Sequence, residues 1–415
     1  MSPVAKTAVL KALSRIERGS LELVCPGETW SFGEPGSDLR ATIVIEDERF
    51  FGQALLKGEI GFGESYVAGE WTSPDLVSLV RLAVRNLDTL DHSSFLVAGA
   101  SRMIGLLQHW TRNNSLAGSR RNIQYHYDVG NEFYGLFLGS TMAYSCGFFE
   151  SADDSLDRAQ FNKFDRICRK LRLSESSHIL EIGTGWGGFA IHAASAYGCR
   201  VTTTTISRQQ YEYAKKWISR VGLSNRIELL FQDYRTLLGA YDHIVSIEMF
   251  EAVGYQHYNT YFAACDELLK PQGTMLLQTI TMNEKRFRRY LRDYDWIKKH
   301  VFPGAELASL RGILDSLVHV TNLSLYHAED IGAHYARTLH AWRKNFHDAA
   351  SELPRLGFSK EFIRLWDYYL GYCEGAFLER HIGDFQLLLT RNHNSAGLMD
   401  EPWGRTSELE QTLQL

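Results

Sequence analysis

Long apolar runs, paired cysteines and an excess of charge of either sign are all missing from this 415-residue sequence. No run approaches the roughly 18–20 apolar residues that would cross a bilayer, and the first residues lack the apolar core of a secretory signal. The six cysteines (Cys25, Cys146, Cys168, Cys199, Cys265 and Cys373) are scattered, with no CxxC pair. That pattern excludes a disulfide framework and a metal-ligand spacing, and it favours reduced thiols in a cytoplasmic setting. A net charge of −5 supplies no global basic field, so nucleic acid is not an expected partner. What remains is an ordinary globular composition, 45% hydrophobic and 22% charged, on a chain long enough for two domains.

Residues 4–18 set Val9, Leu10, Leu13 and Ile16 at helical spacing among Lys6, Lys11, Arg15 and Arg18, a basic amphipathic helix. Short strand-like runs follow, LELVC, TWSFG and LRATIVI, separated by Pro-Gly and Gly-Ser punctuation, with helical patterns around 47–58 and 75–88. Residues 1–95 therefore read as a small α+β domain without a catalytic cluster. Residues 96–123 lack clear periodicity and read as a linker. From Gln124 aromatics crowd the sequence, and Tyr144, Ser145, Cys146 and Gly147 form a polar turn among them, suited either to a core or to a ligand wall.

The rest of the chain is organised around ILEIGTGWGGF, residues 179–189. An apolar run breaks into Gly183, Gly185, Gly187 and Gly188 and resumes with helical spacing, which reads as strand, tight turn, helix. Such a turn at a strand end is where nucleotide-like ligands settle in open α/β sheets. CRVTTTTIS is a β-branched strand ending in Ser207, a candidate cap for the next helix. IELLFQDY, HIVSIEMFEAVG and TMLLQTI add three more strand units, and the alternation with helices predicts a doubly wound, mostly parallel sheet over residues 124–395. Strand ends then deliver Gly185, Thr205, Ser207, Gln232, Asp233, Glu251 and Gln278 to one rim.

YHYDVGNEFY, YSC, LEIGTGWGG, TTISRQQ, QDYR, EMFEAVG, LLQTIT, HYARTLHAW and YYLGYCEGAF occur in order over about residues 60–393. In combination they resemble the cyclopropane-fatty-acyl-phospholipid synthases and their relatives, the mycolic-acid cyclopropane synthases. The resemblance implies a Rossmann-like class I methyltransferase fold and S-adenosyl-L-methionine (AdoMet) as methyl donor. It implies that Tyr127, Tyr144 and Ser145 flank the donor and that Gly183 and Gly185 admit its methionine portion. Thr205, Ser207 and Gln210 would line the ribose, and Gln232, Asp233 and Tyr234 the adenine. The substrate it implies is the double bond of an unsaturated phospholipid acyl chain, met at the inner face of the membrane, by a protein compatible with a homodimer.

The same resemblance implies a bound bicarbonate as base, held by Cys146 and Ile280 through their backbones and by Glu251, Gln278 and Tyr335. Many bacterial members carry histidine where this chain has Gln278, which keeps a donor but cannot take up a proton at neutral pH. Cys373 stands where the family carries a cysteine described as catalytic, but the chemistry needs no thiolate there and a small buried hydrophobe is the favoured reading. Residues 284–300 combine Phe287, Tyr290, Leu291 and Tyr294 at helical spacing with Arg286, Arg289, Lys298 and Lys299. They read as a solvated lid helix or a membrane-surface contact within a helical insertion over about 282–330, and 396–415 as a tail.

Overall fold

The computed structural model describes residues 3–91, 129–392 and 394. Tyr127, the expected linker over 96–123 and the expected tail over 396–415 lie outside the described residues. The N-terminal part carries β1 (Ser20–Cys25), β2 (Glu28–Gly33), β3 (Arg40–Ile45) and β4 (Trp71–Thr72) in the order β2-β1-β3-β4. Alternation decides its inner face: Leu21, Leu23 and Cys25 of β1 and Ala41, Ile43 and Ile45 of β3 are buried. The basic helix Pro3–Leu13 docks on this unit through Val9, Leu10 and Leu13, and Lys6 reaches Glu28 at 2.6 Å.

The main sheet contains β5 (His178–Ile182), β6 (Arg200–Thr205), β7 (Ile227–Phe231), β8 (Tyr241–Ile247), β9 (Leu269–Met282), β10 (Leu323–Asp330) and β11 (Ile382–Arg391). Their order is β10-β11-β9-β8-β5-β6-β7. Pairings from β7 through β9 are parallel, and β11 runs antiparallel to both β9 and β10. The chain leaves β5 toward β6 on one side and returns through β8 on the other. That reversal opens a crevice at the carboxyl end of β5, where the glycine-rich turn lies. Ser207 caps the helix Arg208–Arg220 by accepting from the Gln210 amide, and Gln210, Ala214 and Ile218 give that helix one buried face.

The N-terminal unit shares one apolar cluster with helices Gly332–Asp348 and Lys360–Leu378. Helix Leu76–Arg85 packs on helix Lys360–Leu378, where a Cβ at Gly375 would stand 2.7 Å from Val80 and one at Gly371 3.0 Å from Leu76. Spaced four apart, these glycines let the two helix backbones approach. Cys373 and Phe377, on the other side of the same helix, face the interior cavity. Glu379 clamps the contact by accepting from Arg81 and Arg85, both at 2.7 Å.

The insertion differs from expectation. β10 falls inside the range read as a helical lid, so the inserted part ends before Leu323. The single helix expected over 284–300 is two short ones, Glu284–Tyr290 and Trp296–His300. The break has a local cause: Asp295 caps the second helix by accepting from Lys298 N. Its face is also less basic than the sequence suggests. Lys298 is buried and donates to the Tyr290 and Asp293 carbonyls, Lys299 pairs with Glu64, and Arg286 pairs with Asp88. Lys285 and Arg288 remain exposed.

Candidate active site

A cavity of about 360 Å³ runs from the glycine turn to an apolar arm deep in the chain. Its polar end is built by strand ends, as the sheet order requires. Gly183 and Gly185 adopt φ of +103° and +53°, and a Cβ on Gly185 would meet nothing within 4 Å, because it would point into open space. Thr205, Gln210, Gln232, Asp233 and Tyr234 share this wall. Thr205 Oγ1 donates to Gln210 Oε1 at 2.9 Å, and Gln232 Nε2 is turned onto the Thr236 carbonyl. Ser207 belongs to the helix cap rather than to the cavity wall. Asp233 is not a free acceptor: Arg235 holds both carboxylate oxygens at 2.8 and 2.7 Å. The pair therefore presents an oriented ion pair to the cavity, with Arg235 itself in the wall.

Ser145 lies across from the glycine turn, where its hydroxyl accepts from Lys163 at 2.6 Å. Burial lowers the Lys163 ammonium to about 8, against the opposing pull of Glu248. Tyr144 donates to Tyr369 at 3.0 Å and marks the start of the apolar arm. That arm is walled by Ile280, Phe302, Leu339, Tyr369, Cys373 and Phe377. Burial pushes the Cys373 thiol far up, so it carries no thiolate at neutral pH and serves as a small wall side chain.

The two arms meet at three acidic or phenolic groups, Glu248, Glu251 and Tyr335. Glu251 Oε1 accepts from the Ile280 amide at 2.5 Å and from Thr279 Oγ1 at 2.9 Å, while its Oε2 has no protein partner. Burial and then the Glu248 charge raise its carboxyl to about 7, so near neutrality it can act as donor as well as acceptor. Glu248, which the sequence reading passed over in favour of Glu251, takes the centre. Its Oε1 accepts from the Cys146 amide and from Gln278 Nε2, each at 2.8 Å, and its Oε2 accepts from Tyr335 Oη at 2.6 Å. Cys146 and Gln278 are themselves fully buried behind it. A signal was present: Glu248 is the first residue past β8, at the same rim as the other strand ends.

The orientation of the Gln278 amide is forced from a distance. Register sets Gln278 beside Ile247 of β8 and Gln386 of β11. Lys170, which can only donate, points Nζ at Gln386 Oε1, so the Gln386 amide donates to Gln278 Oε1 at 3.0 Å. Gln278 must then turn Nε2 toward Glu248 and Asp384. Asp384 is fully buried, and its Oδ1 has no partner. Burial and the neighbouring Glu248 push it well above the usual carboxylate range, so Asp384 holds the proton of this pair. Burial raises Glu248 as well, against the pull of Tyr335, the Cys146 amide and Lys163; the three donors aimed at its two oxygens make it the acceptor of the pair.

Bicarbonate, expected from the sequence, does not fit this arrangement. Of the donors assigned to it, Cys146 N, Gln278 Nε2 and Tyr335 Oη serve Glu248, and Ile280 N serves Glu251. A bound anion would have to displace a carboxylate that is part of the chain. AdoMet does fit: bare glycine backbone, a hydroxyl–amide pair and an ion pair beside Tyr234 line its expected end. Among the described residues no cluster of three or more His, Cys, Asp or Glu could hold a metal ion. No helix among them is long and apolar enough to cross a membrane.

The chain is similar to several known proteins. Tuberculostearic acid methyltransferase UfaA1 of Mycobacterium tuberculosis is 37% identical over 80% of this chain and 79% of its own. The cyclopropane-fatty-acyl-phospholipid synthase of Escherichia coli is 36% identical over 85% and 88%. The solved structure of the cyclopropane synthase MmaA2 from Mycobacterium tuberculosis superposes with a TM-score of 0.62 at 28% identity, covering 66% of this chain and 98% of that one. Mycolic acid cyclopropane synthase CmaA1, solved with SAH and CTAB, gives 0.61 at the same identity and coverage. The family described as mycolic acid cyclopropane synthetase matches residues 114–387, and this chain belongs to that family, as an AdoMet-dependent C-methyltransferase of the cyclopropane synthase type.

Proposed function

We propose that the chain adds a one-carbon unit from AdoMet to the double bond of an unsaturated phospholipid acyl chain and forms a cyclopropane. The observation that carries this reading is the meeting of a glycine-lined polar arm and an apolar arm at Glu248, Glu251 and Tyr335. AdoMet supplies an electrophilic methyl group. An alkene is a weak nucleophile, so the apolar walls must hold its π-face in line with that methyl and keep water out. Addition leaves a carbocation on the acyl chain, and the aromatic faces of Tyr369 and Phe377 in the wall stabilise it. Loss of a proton from the new methyl group closes the ring.

A second reading has an observation in its favour. Glu248 is tethered at the end of β8 and held by three donors, so its carboxylate cannot follow the cation along the chain. If the proton within reach is on a neighbouring chain carbon, its loss leaves a methyl-branched alkene, whereas a hydride shift followed by proton loss from the new methyl leaves a methylene branch. A saturated methyl branch carries one hydride more and would need a separate reductant. A lipid-binding protein with a lapsed site is disfavoured by the intact glycine turn and the satisfied network around Glu248. Approach to the membrane is proposed through Lys285 and Arg288, exposed on the short helix that ends at Tyr290 in the cavity wall. Expression in a host without such enzymes, followed by lipid mass spectrometry, tests the function: a gain of one CH₂ on unsaturated acyl chains supports it, and unchanged chains refute it.

A further inference from the structure

The place of Glu248 is unusual for its backbone as well as its side chain. Its φ is +48°, the left-handed region where glycine sits without strain and other residues pay in conformational energy. A strained non-glycine residue at a cavity wall points to a side chain needed there. Its carboxylate is planar, carries its charge over two oxygens and takes three donors, the recognition chemistry of a small oxyanion. Bicarbonate would find the Cys146, Gln278, Tyr335 and Ile280 donors already taken by carboxylates of the chain.

We propose that Glu248 is the site's own base, taking in covalent form the place of a bound bicarbonate. The inference rests on the one-carbon-transfer reading above. In the first step the alkene π pair bonds to the methyl carbon of AdoMet, and the S–CH₃ pair returns to sulfur as S-adenosylhomocysteine leaves. A C–H bond of the resulting cation then breaks: its electron pair forms the new carbon–carbon bond, and the proton passes to a Glu248 oxygen. CH₃⁺ has entered and H⁺ has left, so the lipid gains CH₂ with no oxidant or reductant. A carboxylate is also a nucleophile that could trap the cation. Its three donors and its tether to the end of β8 hold it back from bonding distance, while a proton, being small, can still be passed.

The test uses full-length protein, methyl-tritiated AdoMet and vesicles of dioleoyl phosphatidylglycerol and phosphatidylethanolamine, in buffer stripped of carbon dioxide. Parent turnover should change less than about twofold when millimolar bicarbonate is restored. Glu248→Gly relieves the strained φ and opens room in the cradle, so it should fold and bind AdoMet by calorimetry. It should lose about 10²–10⁴-fold in turnover, the usual worth of a general base, and regain about tenfold or more with bicarbonate. Glu248→Gln fills the same space without charge, so it should stay inactive with or without the anion. A parent that labels lipid only when bicarbonate is added, or a Glu248→Gln variant with parental turnover, overturns this inference alone. A parent that binds AdoMet and labels no lipid overturns the one-carbon-transfer reading and this inference with it.

Discussion

Glu251→Gln should stabilise the protein above neutral pH. Glu251 is 8% exposed, one of its oxygens has no partner, and Glu248 stands nearby as an anion. Its carboxyl is raised from 4.5 to about 7, chiefly by burial. The sign follows from proton counting. Between those two values the folded chain keeps a proton that the unfolded chain has lost, so stability falls as pH rises through that window. Below it the cost is absent, and above it the cost is complete. At about 1.4 kcal/mol for each tenfold change in proton affinity, the full cost is about 3 kcal/mol. Glutamine keeps an acceptor for Ile280 N and Thr279 Oγ1 and carries no charge to desolvate. An unfolding entropy of roughly 2 cal/mol/K per residue over this chain length converts 3 kcal/mol into a shift of roughly 3 °C. Thermal unfolding of ligand-free parent and variant from pH 4 to 8 is the assay. Expected is no difference at pH 4, growing to about 3 °C in favour of Glu251→Gln at pH 8. A difference that stays constant with pH would refute the raised carboxyl and its cause.

Gly185→Val would set a β-branched side chain at a φ of +53°, pointing into the cavity. The left-handed backbone alone costs about 1–2 kcal/mol. Calorimetric titration should show AdoMet binding to the parent and little to the variant, and equal affinities would take the glycine turn out of the site. Lys285→Gln with Arg288→Gln should weaken co-sedimentation with phosphatidylglycerol vesicles, most at low salt, because screening acts within about 8–10 Å near 0.1–0.15 M. Sedimentation independent of lipid charge would remove the proposed membrane face.

What could be read in the sequence was local. The β-branched run of β6, the Ser207 cap and the glycine turn after β5 each follow from residues within a few positions of one another, and each is found where it was expected. The centre of the site was not local. Glu248 draws its donors from Cys146, Gln278 and Tyr335, which only the β8–β9–β11 register and the helix Gly332–Asp348 bring together. Lys163 and Asp384 left no pattern that separates them from the other buried polar residues of the same helix and strand, such as Gln160 and Gln386. The pairing of Asp233 with Arg235 was within reach, two residues apart in QDYR, yet both partners could equally have faced a ligand. In residues 284–300 the aromatic spacing suggested one helix, and the Asp295 cap broke it.

The central claim is that the AdoMet methyl carbon ends on an acyl chain and loses one of its hydrogens in the site. Methyl-deuterated AdoMet, incubated with the protein and dioleoyl phospholipid vesicles, tests it directly when the released acyl chains are analysed by mass spectrometry. Two deuteriums on an added ring carbon are predicted. Three deuteriums on a methyl branch would contradict proton loss from the transferred carbon, and no label on any acyl chain would contradict the account as a whole.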